Sequence, residues 1–375
     1  MTGKEFFLCN RAGSKYALVP STRKDVLLRV VACLLLVSAV AGTTLNETEA
    51  YIACIDDPSS CTYLDVASYG LTGPLPSDLG LLTSLKAYLK TNDNQFTGPL
   101  PTELGLLTAL QTFFTHMNQF TGPLPTELGL LTALSTLDVS QISLTGPLPT
   151  EIGGLTAMKD LSIFTNQFTG PFPTELGLLT ALGTMYASSC SLTGPLPTEI
   201  GVLTAMTFMT MRQNSITGSL PSEIGALARL TDWISSNNYI SGSVPSELGL
   251  LTALKYFRFV ENQFTGPFPT ELGLLTALGT MDVSTNNFTG PLPTEIGGLT
   301  AMTYMTMHQN SITGSLPSEI GALTQLTNWI SSNNCISGSV PSELGLLTAL
   351  KTLKTNRLNG TLPMELGMLS NLQEW

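Results

Sequence analysis

The sequence repeats itself every 24 residues, and no other property constrains its fold so tightly. A [Thr/Ser]-Gly-[Pro/Ser]-apolar-Pro motif places Gly73, Gly98, Gly122, Gly146, Gly170, Gly194, Gly218, Gly242, Gly266, Gly290, Gly314 and Gly338, and a degenerate copy follows at Gly360. From Gly98 to Gly338 every step is 24 residues. A unit of that size cannot bury its own apolar side chains, so neighbours must stack and share one core, giving one cooperative array rather than several domains. In the unit 134–155 the apolar positions Leu134, Leu137, Val139, Leu144, Leu148, Ile152 and Leu155 are expected to point inward, with a strand over 136–141. The 34 glycines and 23 prolines then punctuate regular structure. With 43% hydrophobic and only 11% charged residues the chain is not disordered, and without a three-residue glycine period it is not collagen.

A second ladder runs in phase with the glycines. Four residues before the motif glycine stand Asn94, Asn118, Asn166, Asn214, Asn238, Asn262, Asn286, Asn310, Asn334 and Asn356. The chain turns there, and its buried backbone groups need an amide partner. Cys190 takes the place once and reads as structural, while Tyr69 and Ile142 depart from the pattern and predict a weaker turn.

These units resemble the plant-type leucine-rich repeat, whose hallmark is L-x-G-x-[IL]-P after the asparagine, over residues 51–375. The resemblance implies an α/β repeat solenoid of about 13 units of 24 residues. A parallel β-sheet would form its concave face, with short helical or 3-10 turns on the convex side. It also implies a binding role, as in ectodomains of receptor-like kinases, receptor-like proteins and polygalacturonase-inhibiting proteins. Those ectodomains open with a C-x-W-x-G-V-x-C cap, whereas this chain has Cys54 and Cys61 without the tryptophan, and no terminal cysteine pair or kinase follows the repeats.

The first residues differ from the array. Six Lys/Arg precede an apolar run from Val30 to Ala41, so residues 1–41 read as a signal peptide cleaved after Ala41, or as a signal anchor tethering the chain to a membrane through residues 26–42. Residues 42–71 then form an N-terminal cap, and 72–375 the repeat array with an incomplete C-terminal unit. Secretion, or display on the extracellular face of the plasma membrane, is the expected destination. Cys54 and Cys61 would staple the solenoid entrance as a disulfide, and Asn46, Asn287 and Asn359 lie in glycosylation sequons. Cys190 and Cys335 lie six repeats apart, roughly 29 Å at about 4.8 Å per strand, too far to pair within one chain.

Charge and motifs narrow the function further. The formal charge of -11 opposes nucleic-acid binding, which needs clustered Lys/Arg. Acidity has a local source, since nearly every return segment carries Pro-[Thr/Ser/Met]-Glu, as at Glu103, Glu127 and Glu151. A carboxylate there suits the start of a short helical turn, with the preceding Thr or Ser as N-cap. A calcium stripe along these glutamates is the weaker reading. His116 and His308, the only histidines, share a phase eight units apart, about 38 Å, so they cannot act together. No nucleophile elbow, zinc motif or phosphate loop is present. The expectation is a non-enzyme without cofactor or metal.

What remains is the outward face of the strands, at 10, 8, 6 and 5 residues before each motif glycine. Against a background of Ser, Thr, Gln and Asn stand Phe114, His116, Met117, Phe164, Tyr186, Phe208, Arg212, Tyr256, Arg258, Glu261, Tyr304 and His308. Aromatics and arginine are the types enriched in binding hot spots. Residues 170–255 and 266–351 match at 73 of 86 positions, and five of the 13 changes fall on the twelve outward positions, including Tyr186/Asp282, Phe208/Tyr304 and Arg212/His308. The expected ligand is a protein, a peptide or a cell-wall polysaccharide. A structural or adhesive rod is the alternative, and ice binding by a regular Thr/Ser array the weaker one, because aromatic and charged residues interrupt the polar rows. The last unit stops at Trp375 without a polar cap, so that end is expected to fray or self-associate.

Overall fold

The computed structural model describes residues 42–355 and 357–374, together with a short antiparallel pair at Leu8–Cys9 and Lys15–Tyr16. The signal or anchor reading of 1–41, Asn356 and Trp375 therefore lie outside the described residues. Among these no helix is long and apolar enough to cross a membrane.

The 24-residue period becomes a coil whose inward side chains form one continuous core. All seven positions picked out in the unit 134–155 are buried. Each coil gives one short strand to a 13-stranded parallel sheet that runs from Leu64–Asp65 to Thr352–Lys354 in sequence order. Register is strict: Phe114 pairs with Asp138, Asp138 with Ser162 and Ser162 with Tyr186, so equivalent residues line up in rows. The strands are shorter than the alternation predicts, ending at Asp138 rather than 141 in that unit, because Gln141 turns into the left-handed region at φ 53°. The same left-handed residue recurs at Asp93, Met117, Thr165, Ser189, Gln213, Asn237, Glu261, Thr285, Gln309 and Asn333. The turn keeps this conformation before Ile142, where the missing asparagine predicts a weaker one.

The asparagine ladder works as a double clamp. Asn214 Nδ2 donates to the Ala187 carbonyl of the preceding coil and to Met211 in its own, while its Oδ1 accepts from the backbone N–H of Leu192. At Cys190 the thiol donates to the Ile163 carbonyl at 3.3 Å but offers no equivalent oxygen.

After the clamp the chain forms a second, flanking run of short parallel strands. One five-stranded sheet runs from Thr72–Gly73 to Gln167–Phe168, another from Thr193–Gly194 to Asn287–Phe288. The motif glycine, which ends most of these strands, takes a positive φ, 76° at Gly146, which a side chain would strain. The return segment is a 3-10 turn such as Thr102–Leu106. Its N-cap is Pro101, not the predicted threonine. Thr102 is already the first residue of the turn, so its hydroxyl donates to Glu103 Oε2 instead of accepting a backbone N–H.

The entrance is closed by the 3-10 turn Leu45–Glu47, the helix Glu49–Asp56 and the Cys54–Cys61 disulfide. Thr48 caps the helix by accepting from the Tyr51 N–H. At the other end Leu362, Met364 and Met368 are exposed, while Leu369 is buried.

Candidate functional site

On the 13-stranded sheet, side chains alternate between core and solvent, and strict register sorts the outward ones into rows. One row reads Phe114, Asp138, Ser162, Tyr186, Thr210, Ile234, Arg258, Asp282 and Thr306. A neighbouring row carries Asp160, Phe208, Asp232, Tyr256 and Tyr304. Where small residues stand between large ones the surface dips. A hollow of about 260 Å³ forms there, lined by Phe114, Asp138, Asp160, Ser162, Phe164 and Tyr186 over Thr136, Leu137 and Leu161.

The predicted residues fall into two groups. Phe114, Phe164 and Tyr186 meet at the hollow, and Phe208 extends it, with its ring 4.9 Å from that of Tyr186. His116 adjoins it, 6.0 Å edge-on from the Phe114 ring, with Nδ1 3.1 Å from Asp138 Oδ2. That nitrogen is buried and is poorly aligned for a hydrogen bond, so the contact is a charge pair only when the imidazole is protonated. Phe114, His116, Phe164 and Phe208 lie half-buried against the sheet, whereas Tyr186 is 39% exposed.

The second group is spread over the later coils and does not line the hollow. Arg212, Tyr256 and Arg258 are exposed, and among the described residues neither guanidinium forms an ion pair. Half-buried His308 contacts the Thr306 hydroxyl through Nδ1 at 3.0 Å, and Tyr304 lies half-buried on the row beside it. Glu261 is not on a strand. It occupies the left-handed turn at the sheet's rim, where the Asn237 amide bonds its carboxylate, in a second, polar hollow with Asn238, Tyr239 and Gln263. Met117 occupies the same turn two coils after the first strand's coil.

Sequence reasoning missed Asp138 and Asp160, because it searched for large or charged departures coil by coil. Writing the outward residues as rows would have shown Asp138 between phenylalanine and tyrosine, with Asp160 in the row beside it. Asp138 Oδ1 accepts from the N–H and hydroxyl of Ser140. Asp160 meets no donor among the described residues. Asn46, Asn287 and Asn359 are all exposed, Asn287 on the flanking sheet. Among the described residues no three His, Cys, Asp or Glu side chains converge as a metal site. Cys190 is buried and Cys335 exposed, both free thiols.

Fold, register and repeat pattern define a plant-type leucine-rich repeat solenoid that resembles receptor ectodomains. The plant peptide hormone receptor RGFR1, solved in complex with RGF2, is 30% identical with a TM-score of 0.73, over 81% of this chain and 53% of that one. A TDR receptor is 29% identical with a TM-score of 0.77, over 92% of this chain and 65% of that one. The chain thus spans between about half and just under two thirds of these ectodomains. A plant ice-binding protein is 25% identical with a TM-score of 0.52, over 75% of this chain and 83% of that one. The sequence matches no family model and no curated protein.

Proposed function

We propose that the chain is an extracellular recognition module that binds a peptide segment along its concave sheet. The observation that carries this reading is the clustering of Phe114, Phe164, Tyr186 and Phe208 around one hollow on the outward face of the sheet. Aromatic side chains left half-exposed and held in register supply contact area at low entropic cost. The similarity to a receptor solved with its peptide hormone supports the choice of ligand class. The unpaired Arg212 and Arg258 and the exposed Tyr256 extend the face toward the later coils. The Cys54–Cys61 disulfide suits an oxidising compartment. Cleavage after Ala41 would release the module, and retention through residues 26–42 would hold it at the membrane. The exposed Leu362 and Met364 give its last coil an apolar surface on which a second copy could pack.

A display selection of random peptides on the secreted chain tests the reading. Selected peptides should lose affinity by about tenfold or more with Tyr186→Ala, the order of a hot-spot truncation, and more modestly with Tyr256→Ala and Arg258→Ala. Unchanged affinity in all three would move the site off this face.

One observation favours a second reading, ice binding by a different face. Along the flanking edge the residue before the motif glycine is Thr or Ser in twelve successive coils, Thr72 to Ser337, and most of these side chains are exposed. Sequence reasoning sought such an array on the concave face, where aromatics interrupt it. Here the row is unbroken and spaced at about 4.8 Å per coil. Thermal hysteresis that Thr145→Tyr and Thr217→Tyr abolish would establish this reading; growth of ice at the melting point in the presence of the protein would remove it.

A further inference from the structure

The hollow on the concave sheet has a chemical character that its aromatic walls alone do not convey. Along the central row the side chains run Phe114, Asp138, Ser162, Tyr186, so two rings stand three strand spacings apart, roughly 14 Å, with small residues between them. Phe164 stands on one long side and Asp160 on the other. The floor is the strand backbone at Leu137 and Leu161, whose side chains are buried in the core, and Thr136 stands beside Asp160 in its row. Two carboxylates therefore face an otherwise largely apolar cup.

The carboxylates are not equivalent. Asp138 is fixed by Ser140 and lies beside His116. Asp160 is unpartnered and exposed at the rim. Lys90, at the sheet's entrance, is engaged elsewhere, 3.6 Å from Asp65 and 4.4 Å above the Tyr88 ring, and among the described residues Lys159, next to Asp160 in the chain, forms no ion pair with it. An apolar side chain entering the cup would strip water from Asp160 without replacing it, and an anion would be repelled. A long cationic side chain fits on both counts. Its aliphatic stem packs among the rings of Phe114, Phe164 and Tyr186 over the strand backbone, and its N–H donors reach the free carboxylate.

We propose that this hollow is a cation-accepting subsite, the place where the concave face takes a lysine or arginine side chain of its peptide ligand. The proposal rests on the peptide reading above and names the residue class that the site selects. Asp160 supplies the specificity, the aromatic walls supply the contact area, and Asp138 adds negative potential from the central row. A neutral sugar, which could stack on the same rings and donate to the same carboxylates, is the competing occupant. The unpaired charge of Asp160 favours the cation, because a hydroxyl donor leaves that charge uncompensated.

The test uses the secreted full chain, a random peptide library and a glycan array. Selected peptides should carry Lys or Arg at one fixed position, and replacing it with citrulline or norleucine should weaken binding about tenfold. Asp160→Asn should weaken the basic peptide by a similar factor. Combined, the two changes should cost little more than either alone, a coupling that a merely structural effect of Asp160 would not produce. Asp160 is exposed, so its variant should keep the wild-type melting temperature. Tyr256→Ala, remote from the hollow, should show no coupling to the basic position. Peptides that bind in a Tyr186-dependent way with no basic preference, or additive losses, would overturn the subsite while leaving the peptide reading intact. Retention of neutral glycans, or no peptide binding at all, would overturn both.

Discussion

The two free cysteines show how much a single side chain's surroundings decide. Cys190 replaces an asparagine of the clamp, and burial pushes its thiol from an ordinary value of 9.0 up to about 11, partly offset by the backbone of Asn166 and Thr165. Cys335 is exposed. Iodoacetamide at pH 8 should therefore modify Cys335 and spare Cys190 in the folded chain, which peptide mapping reads directly. The sign of the pH effect follows from the raised value. An unfolded thiol ionises above about pH 9 while the folded one stays neutral, so stability held below pH 9 is lost as pH rises toward 11. Cys190→Asn should remove that loss. It should also raise stability by about 1 kcal/mol, by giving the Phe168 N–H the amide oxygen that the asparagine coils possess. The duplicated coil already carries Asn286 at this position, so the side chain has room. A melting temperature unchanged or lowered by Cys190→Asn would contradict the clamp's assigned role. The left-handed turn gives a companion test. Thr285 is β-branched and held at φ 56°, so Thr285→Gly should not destabilise and should gain up to about 1 kcal/mol in chemical denaturation, despite the entropy glycine adds to the unfolded chain.

The convex turns set how closely coils approach. The turns from Gly80 to Gly345 set a glycine against the next coil's glutamate: a Cβ on Gly129 would collide with the Glu151 carbonyl oxygen. That neighbour is backbone and is fixed on both sides by the repeat, so Gly129→Ala should destabilise by about 1–3 kcal/mol, seen as a lower denaturant midpoint. A neutral substitution would mean the coils have slack. This contact was not legible in the sequence, because only the stacked neighbour reveals why glycine recurs at a position whose φ is unremarkable. The glutamate row was legible and its cap was not. Thr102 precedes Glu103 as an N-cap would, yet Pro101 already presets the entry and moves the turn's start by one residue.

As a whole molecule, the array was largely readable because its period forces one topology. Thirteen in-register strands, the inward positions and the asparagine clamp all follow from the phase of Gly, Leu and Asn. The candidate site was readable only in part. Phe114, Phe164, Tyr186 and Phe208 stood out by size, but their convergence depends on which small residues separate them across strands, a property of rows and not of any one repeat. Asp138 and Asp160 gain their meaning only there. Glu261 shows the converse, since its offset from the glycine suggested the face while the turn placed it at the rim.

The central claim, that ligand is held on the concave sheet around this hollow, is tested most directly by hydrogen exchange on the secreted chain with and without a selected peptide. The account predicts slowed exchange in the strands Thr112–Phe114, Thr136–Asp138, Asp160–Ser162, Thr184–Tyr186 and Phe208–Thr210, with the 3-10 turns and the flanking strands unchanged. Protection confined to the flanking strands or to the convex turns, with those five strands unaffected, would contradict it.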